Sequence, residues 1–513
     1  MHQKLGVKVL SDIARHLSSR LGLLILEMLV MSEDLARTAL RTVQGLGASY
    51  ADVRYVKIES ESLHVKKGVP EEIRKRSLAG IGVRAIAKGA WGFAGTTILK
   101  RASAVDIARK AYKVACASAR AKKIDVKLSS TPARKAKYST PFRKDPFKVS
   151  LKEKVDALKT AERIAAGESK ELIKTSSSFF RAHRERKLFL SSEGANIGQT
   201  IVWCGGGVSA TAIRSGDVQI RSYPASFRGN FNTAGYEFFE SLDLAGHAPE
   251  TAKEAVQLLS AEKCPATTTA LITAGDQLAL QVHESCGHPT ELDRALGMEA
   301  DYAGTSFLTT DKLGTFRYGS PKVDISADAT APGGLGAFGY DDEGVPAKSV
   351  PLIKKGVFVN YQSSRETAAD LKLPEGSSGG MRADSPLAMP IVRMTNINLL
   401  PGDWKVEELI RDTQDGILML TNKSWSIDDR RLNFQFGTEA AWLIKNGSKE
   451  RMIKQATYTG ITHQFWGSCD AVSTDDWHMH GTPTCGKGVP GQVMYVGHGV
   501  STARFRDVRV GIA

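Results

Sequence analysis

At 513 residues the chain is too long for one ordinary core, and its 42% hydrophobic and 7% aromatic content is that of a globular protein, so two domains are expected. Six unevenly spaced cysteines without a C-x-x-C pair exclude a disulfide framework and fit a reducing cytoplasm. The formal net charge of +14 is unevenly spread: residues 1–200 carry a surplus of roughly 21 positive charges, and the remainder is acidic by roughly 7.

In chain order, Lys4, Lys8, Arg15 and Arg20 precede an apolar run from Leu21 to Met31, which superficially resembles a secretory signal. Glu27 interrupts the run, no small-residue cleavage site follows, and the run is too short to span a bilayer. Residues 1–30 are therefore read as an extension ahead of a start at Met28 or Met31, with a membrane-surface helix as the other reading. Ser32 is placed to cap a helix running through Val43. Asp52 to Lys67 alternates as a strand, and Val69 to Ala94 continues as strands with turns expected at Gly80, Gly82 and Gly89. Helices are expected over Ala102 to Arg120, which is Ala-rich, and over Val149 to Gly167. Ser129 to Phe147, broken by three prolines, reads as an exposed connection. Glu171 to Ile213 reads as strands turning at Gly205-Gly206-Gly207, and Pro249 to Glu262 as a helix ended by Cys264-Pro265.

Beyond a boundary near 240–265 the pattern is short strands with Gly and Pro turns. Leu352 to Tyr361 has a hairpin tip at Lys355-Gly356, and Ala440 to Lys445 turns at Asn446-Gly447. Helices interrupt at Ser364 to Leu371 and Lys405 to Thr413. The expected class is α+β: a mixed N-terminal domain over residues 31–250 and a strand-rich metal-binding domain over 251–513.

The chemistry concentrates in the hexad His283-Glu284-Ser285-Cys286-Gly287-His288. A zinc hydrolase needs imidazoles to hold the metal, an open position for water and a carboxylate to take that water's proton. The hexad has a candidate for each protein role: His283 and His288 as ligands, Glu284 as general base. The H-E-x-x-H spacing would put both histidines on one helical face. Here one more residue intervenes, so on a regular helix the two side chains diverge by about 140°. Both reach one ion only if the turn is distorted, and Gly287 is the residue expected to permit it. The competing interpretation is a buried strand, Leu278 to Val282, followed by a polar turn.

Further segments match a known family in order and spacing. They are Tyr50-Ala51-Asp52-Val53-Arg54, Gly80-Ile81-Gly82-Val83-Arg84, Gly89 to Ala94, Glu291-Leu292-Asp293-Arg294, Asp341 to Pro346, Arg393-Met394-Thr395-Asn396, Pro401-Gly402-Asp403 and Cys485-Gly486-Lys487-Gly488. Together, over roughly residues 31 to 513, they resemble the TldD/PmbA family of zinc metallopeptidases. The resemblance implies that Cys485 completes a metal site with His283 and His288, with one Zn2+ per chain. It also implies a dimer, with itself or with a related member, that admits unfolded or short peptides and excludes folded proteins. A thiolate suits zinc, and two histidines plus one cysteine leave a fourth position for water. The loop Val489-Pro490-Gly491-Gln492, and His498-Gly499 after it, depart from the simplest family pattern.

Glu291 and Asp293 are candidates to orient a histidine through its second nitrogen, as carboxylates near metals commonly do, or else form a surface pair flanking Arg294. Cys286 and Cys469 are rival thiols, one wedged between two ligands and the other beside Phe465-Trp466. His463, His478 and His480 form a second cluster, read as a solvated loop near Cys485. Lys122-Lys123, Arg134 to Lys137 and Arg181 to Lys187 are basic runs, but no nucleic-acid motif accompanies them and nucleic acid is not expected as a partner. The function expected is zinc-dependent hydrolysis of peptide bonds in the cytoplasm. The alternatives are a non-catalytic metal-binding partner and a nucleic-acid-linked regulator.

Overall fold

The computed structural model describes residues 20–511, apart from 227, 302 and 303. The earlier part of the N-terminal extension lies outside them. Helix α1 (Arg20–Gly45) runs without a break, so Ser32 sits inside it rather than capping it. Among the described residues no helix is long and apolar enough to cross a membrane.

Eight strands form the first sheet: β1 (Tyr50–Lys66), β2 (Val69–Ala87), β3 (Ala90–Thr96), β4 (Lys135–Ser139), β5 (Ile173–Ser191), β6 (Asn196–Arg214), β7 (Asp217–Tyr223) and β8 (Asn230–Asn232). Their order is β3-β2-β1-β5-β6-β4, with β7 and β8 also on β6, and only β4 runs parallel to its neighbour. Helices α1 and α2 (Arg101–Ser118) cover one region with Leu35, Ala39, Ile107 and Ala108 against Val53, Ile81 and Val83. Helices α3 (Leu151–Gly167) and α4 (Leu244–Ser260) cover another with Leu158, Ala161, Ala252 and Leu259 against Leu63, Val65 and Phe180. Alanine on the helix faces lets the helices lie close to the pleat.

Five glycines expected in turns, Gly80, Gly82, Gly205, Gly206 and Gly207, lie inside strands instead. A Cβ on Gly80 would stand 2.8 Å from Pro386 Cγ, and one on Gly82 only 2.5 Å from the Pro386 carbonyl oxygen. One on Gly205 would meet the Asn230 carbonyl at 2.0 Å, and one on Gly206 the Phe179 carbonyl at 2.1 Å. These positions are glycine because another backbone approaches closely, not because the chain turns. The real turns are Lys67-Gly68, Lys88-Gly89 and the tight loop at Gly194, where φ is positive.

In the second half, β9 (Thr267–Thr273), β11 (Asp415–Ile427), β12 (Asn433–Lys445), β13 (Thr457–Ile461) and β16 (Ala503–Val510) pair in a closed cycle, with β10 (Ile397–Leu399) in a separate small sheet. The β9–β11 pair is parallel and the others antiparallel. Helix α5 (Gly275–Val282) packs into the large core formed by these strands, with every residue from Gln277 to Val282 buried. The segment Leu278 to Val282 is thus helix, not strand. Gln277 and Gln281 of the helix are one turn apart and share the Tyr458 hydroxyl, at 3.0 and 2.9 Å. An apolar run alone does not distinguish the two conformations.

Buried charge joins the halves. Arg84 pairs with Asp52 at 2.6 Å and Glu343 at 3.4 Å, while Arg54 and Lys187 share Asp342 at 3.2 and 2.5 Å. Three of the family-like sequence blocks therefore meet in one internal ion cluster. Arg184 and Arg186 likewise pair with Asp145 and Glu59, so much of the basic run from Arg181 to Lys187 is spent internally.

A second junction stacks His183 on Trp203, ring centroids 5.2 Å apart, and pairs the Tyr495 hydroxyl with His183 Nε2 at 2.6 Å. Burial holds the His183 imidazole down to about 4. The unfolded chain takes up that proton near pH 6.5 and the folded chain only near 4, so stability is lost as pH falls through this window. Going from pH 7 to 5 should cost about 2 kcal/mol from this ring alone. Urea unfolding at the two pH values should show that loss, and His183→Gln should flatten the dependence; an unchanged slope would reject the assignment.

Candidate metal centre

Helix α5 does not end where its α-helical ladder stops. His283–Gly287 continues it as one π-helical turn, closed by the His288 N–H donating to the His283 carbonyl at 3.1 Å. The i to i+5 closure is what a five-residue histidine spacing requires to bring both rings to one side. A wide turn leaves carbonyls outside the regular ladder, and each must find a donor when buried. The Tyr318 hydroxyl donates to the Ser285 carbonyl at 2.9 Å, Thr290 Oγ1 to Cys286 at 2.7 Å, and Gln362 Nε2 to Gly287 at 2.8 Å. Trp466 Nε1 donates to Ser285 Oγ at 2.8 Å.

Gly287 plays a different part from the one expected. Its φ is not in the left-handed region, but a Cβ there would stand 2.2 Å from Met394 Sδ. The turn therefore needs a missing side chain rather than an unusual backbone angle.

The third residue comes from a hairpin of β14 (His478–Lys487) and β15 (Gln492–Val500). In β14 Cys485 and Lys487 are buried while Thr484 and Gly486 are exposed, the period of two of a strand. Cys485 Sγ lies 3.7 Å from His288 Nε2, and the donor atoms of His283, His288 and Cys485 all fall within 4.8 Å of one another. A tetrahedral zinc, with Zn–N about 2.0 Å and Zn–S about 2.3 Å, separates its donors by about 3.5 Å, so types and spacing both fit. Among the described residues this is the one such grouping.

The outer nitrogens of both rings are engaged. His288 Nδ1 lies 2.9 Å from Glu291 Oε2, and His283 Nδ1 lies 2.8 Å from His498 Nε2. Burial, reinforced by neighbouring basic groups, holds both imidazoles well below their ordinary values, so both are neutral. Burial pushes the Cys485 thiol up, with Arg393 pulling the other way. A bound cation would act in the same sense as Arg393 and more strongly, since a coordinating thiol loses its proton.

Glu284 stands beside the trio. Its Oε2 accepts from Arg431 Nη1 at 2.7 Å, and burial raises its carboxyl above the usual range against the pull of Arg431 and Arg228. Asp293 does not reach a histidine; its two oxygens receive Lys487 Nζ at 2.7 and 2.8 Å, and the same ammonium lies 3.4 Å from Glu291. Cys286 and Cys469 belong to the apolar core. His463 packs edge-on to Phe316, His478 is exposed, and His480 faces His498 across the hairpin, outside the trio.

Sequence reasoning passed over three residues. Arg431 sits at the β11–β12 tip with φ 63°, and nothing in its neighbours marks it. Lys487 was visible only as part of a motif. His498 carried a usable signal, a histidine between two glycines on a strand, but it was read as a departure in a tail.

Models of PmbA/TldA metallopeptidase domain 1, central domain and C-terminal domain match residues 51–115, 144–261 and 272–511. A metalloprotease of Methanocaldococcus jannaschii is 31% identical over 455 residues, 89% of this chain and 95% of the relative. A metalloprotease TldD homolog of Haemophilus influenzae is 26% identical over 90% of this chain and 92% of its own. A zinc metalloprotease TldD homolog of Saccharolobus solfataricus is 23% identical over 92% and 98%. Among solved structures, TldE from Thermococcus kodakarensis shares the fold, with TM-score 0.71 at 15% identity over 94% of this chain and 100% of that one. With all three domain models matched in order, this chain belongs to the PmbA/TldD family of metallopeptidases and is a peptidase of the hydrolase class.

Proposed function

We propose that the chain hydrolyses unfolded or short peptides with one zinc held by His283, His288 and Cys485, and with Glu284 as the proton-transfer group. The observation that carries this reading is the convergence of two neutral imidazoles and a thiol from segments about 200 residues apart in the sequence. Zinc bound there would supply Lewis acidity and make a water in the open position acidic enough to attack near neutral pH. Glu284 takes the proton of the attacking water and passes it to the leaving amine; its raised carboxyl suits both directions of transfer. Arg431 holds that carboxylate in place and offsets its charge. Glu291 orients His288 and is itself fixed by Lys487.

The substrate class follows from access. His283, Glu284, His288 and Cys485 are only 5, 6, 4 and 3% exposed, so an extended segment is the form of substrate that suits the site. Six free cysteines fit work in the cytoplasm. The likeness to proteins named TldD and TldE supports a dimer, with a second copy or a related member.

Glu284→Gln should keep its zinc and lose about 10²–10⁴-fold in kcat on an unstructured peptide library. His283→Ala and Cys485→Ala should lose the metal, read by elemental analysis. Chelation should abolish cleavage and lower the unfolding midpoint, and zinc should restore both, because a ligand at a thousandfold excess over its Kd stabilises by about 4 kcal/mol. If Glu284→Gln cuts at the wild-type rate, the base is another group; if wild type carries no zinc after purification with metal present, the ligand assignment fails.

A further inference from the structure

His498 has two neighbours within hydrogen-bond reach, and together they fix its proton. Its Nδ1 faces the Ile397 carbonyl at 3.3 Å, and its Nε2 faces His283 Nδ1 at 2.8 Å. A carbonyl oxygen only accepts, so Nδ1 of His498 carries the hydrogen. In a neutral ring Nε2 is then bare and accepts. His283 must therefore donate from Nδ1, which leaves the lone pair on its Nε2.

The position of this ring is built rather than incidental. His498 is fully buried, and its strand is gripped on both sides. A Cβ on Gly497 would stand 2.3 Å from Asn396 Oδ1, and one on Gly499 would stand 1.9 Å from Trp477 Cζ2. Gly497 donates to the Thr395 carbonyl at 3.2 Å and Gly499 to Asn398 Oδ1 at 2.8 Å. Asn396 is itself tied down, accepting from Gly336 and donating to the Asp328 carbonyl. Two glycines let the backbone close on these anchors, and the histidine between them has one orientation toward the π turn.

We propose that His498 is the positioning residue for His283: through the chain from the Ile397 carbonyl to His498 to His283 it sets the tautomer and aim of one zinc ligand, as Glu291 does for the other. This rests on the ligand reading of His283 given above. The two ligands are then supported unequally. Glu291 is an anion and strengthens the donor power of His288, whereas a neutral imidazole behind His283 fixes direction with little added basicity.

The test uses full-length protein. His498→Leu fills the space without an acceptor, and His498→Gln returns an oxygen acceptor near the place of Nε2. Zinc affinity, measured by competition with a chromophoric chelator, should fall about 10–100-fold in the leucine variant and recover most of that in the glutamine variant. In metal-free wild type labelled with ¹⁵N-histidine, His283, identified by the signals missing from His283→Gln, should show a protonated Nδ1 and a bare Nε2. Wild-type affinity in His498→Leu, equal losses in both variants, or a bare Nδ1 on His283 would each overturn the proposal, the second because packing alone predicts it. If the leucine variant does not fold, the tautomer of the wild type decides. Zinc retained by both His283→Ala and Cys485→Ala would instead overturn the ligand reading, and the tautomer readout, taken without metal, separates the two failures.

Discussion

The five-residue spacing between His283 and His288 is the constraint around which the second half of the molecule is arranged. A regular helix would turn the two rings apart, and the single π turn that prevents this leaves the Ser285 and Gly287 carbonyls to side-chain donors. Each is met by a side chain from a different segment, Tyr318 and Gln362, while the Cys286 carbonyl takes both the N–H and the hydroxyl of nearby Thr290. Met394 closes over Gly287 from yet another. An isolated helix with this sequence would have no reason to widen at this point. The turn exists because the surrounding core supplies its missing partners, and such bulges cluster at functional sites for that reason.

The same dependence on distant partners recurs outward from the turn. Glu291 holds His288, Lys487 holds Glu291 and Asp293, and Lys487 lies two residues along the strand from Cys485. On the other side His498 holds His283, and the β15 strand that carries it is pinned to Asn396 and Asn398. The hairpin thus supplies one candidate ligand and a brace for each of the other two. Removing one member of a buried charged set leaves its partners unpaired in a poorly solvating interior, which costs more than the pair itself contributes.

Much of this was legible in the sequence and some was not, for identifiable reasons. The strand from Asp52 to Lys67 declared itself by alternation, and the hairpin tips at Lys355-Gly356 and Asn446-Gly447 by turn chemistry that the positive φ angles bear out, whereas the short strand Lys135–Ser139 lay hidden in a stretch read as an exposed connection. The hexad marked the segment that the structure brings together with Cys485. Glycine misled, because one residue type serves two needs. At Gly89 it permits a left-handed angle, whereas at Gly80, Gly82, Gly205 and Gly206 it makes room for a neighbouring backbone, and a single sequence does not show the neighbour. Leu278 to Val282 was ambiguous because burial on all sides erases the period that separates helix from strand. His498 and Arg431 were missed because what they do is defined by a contact 215 residues away in one case and 147 in the other.

The separation of Cys485 from the hexad has a consequence for the life of the chain during synthesis. Translation delivers the first sheet, then the helix with both histidines, and only well after them the hairpin with the thiol and the braces for the imidazoles. On the ligand reading proposed above, the chain until then carries two of the three donors. Activity that depends on all three donors would then begin only once the hairpin has joined the helix.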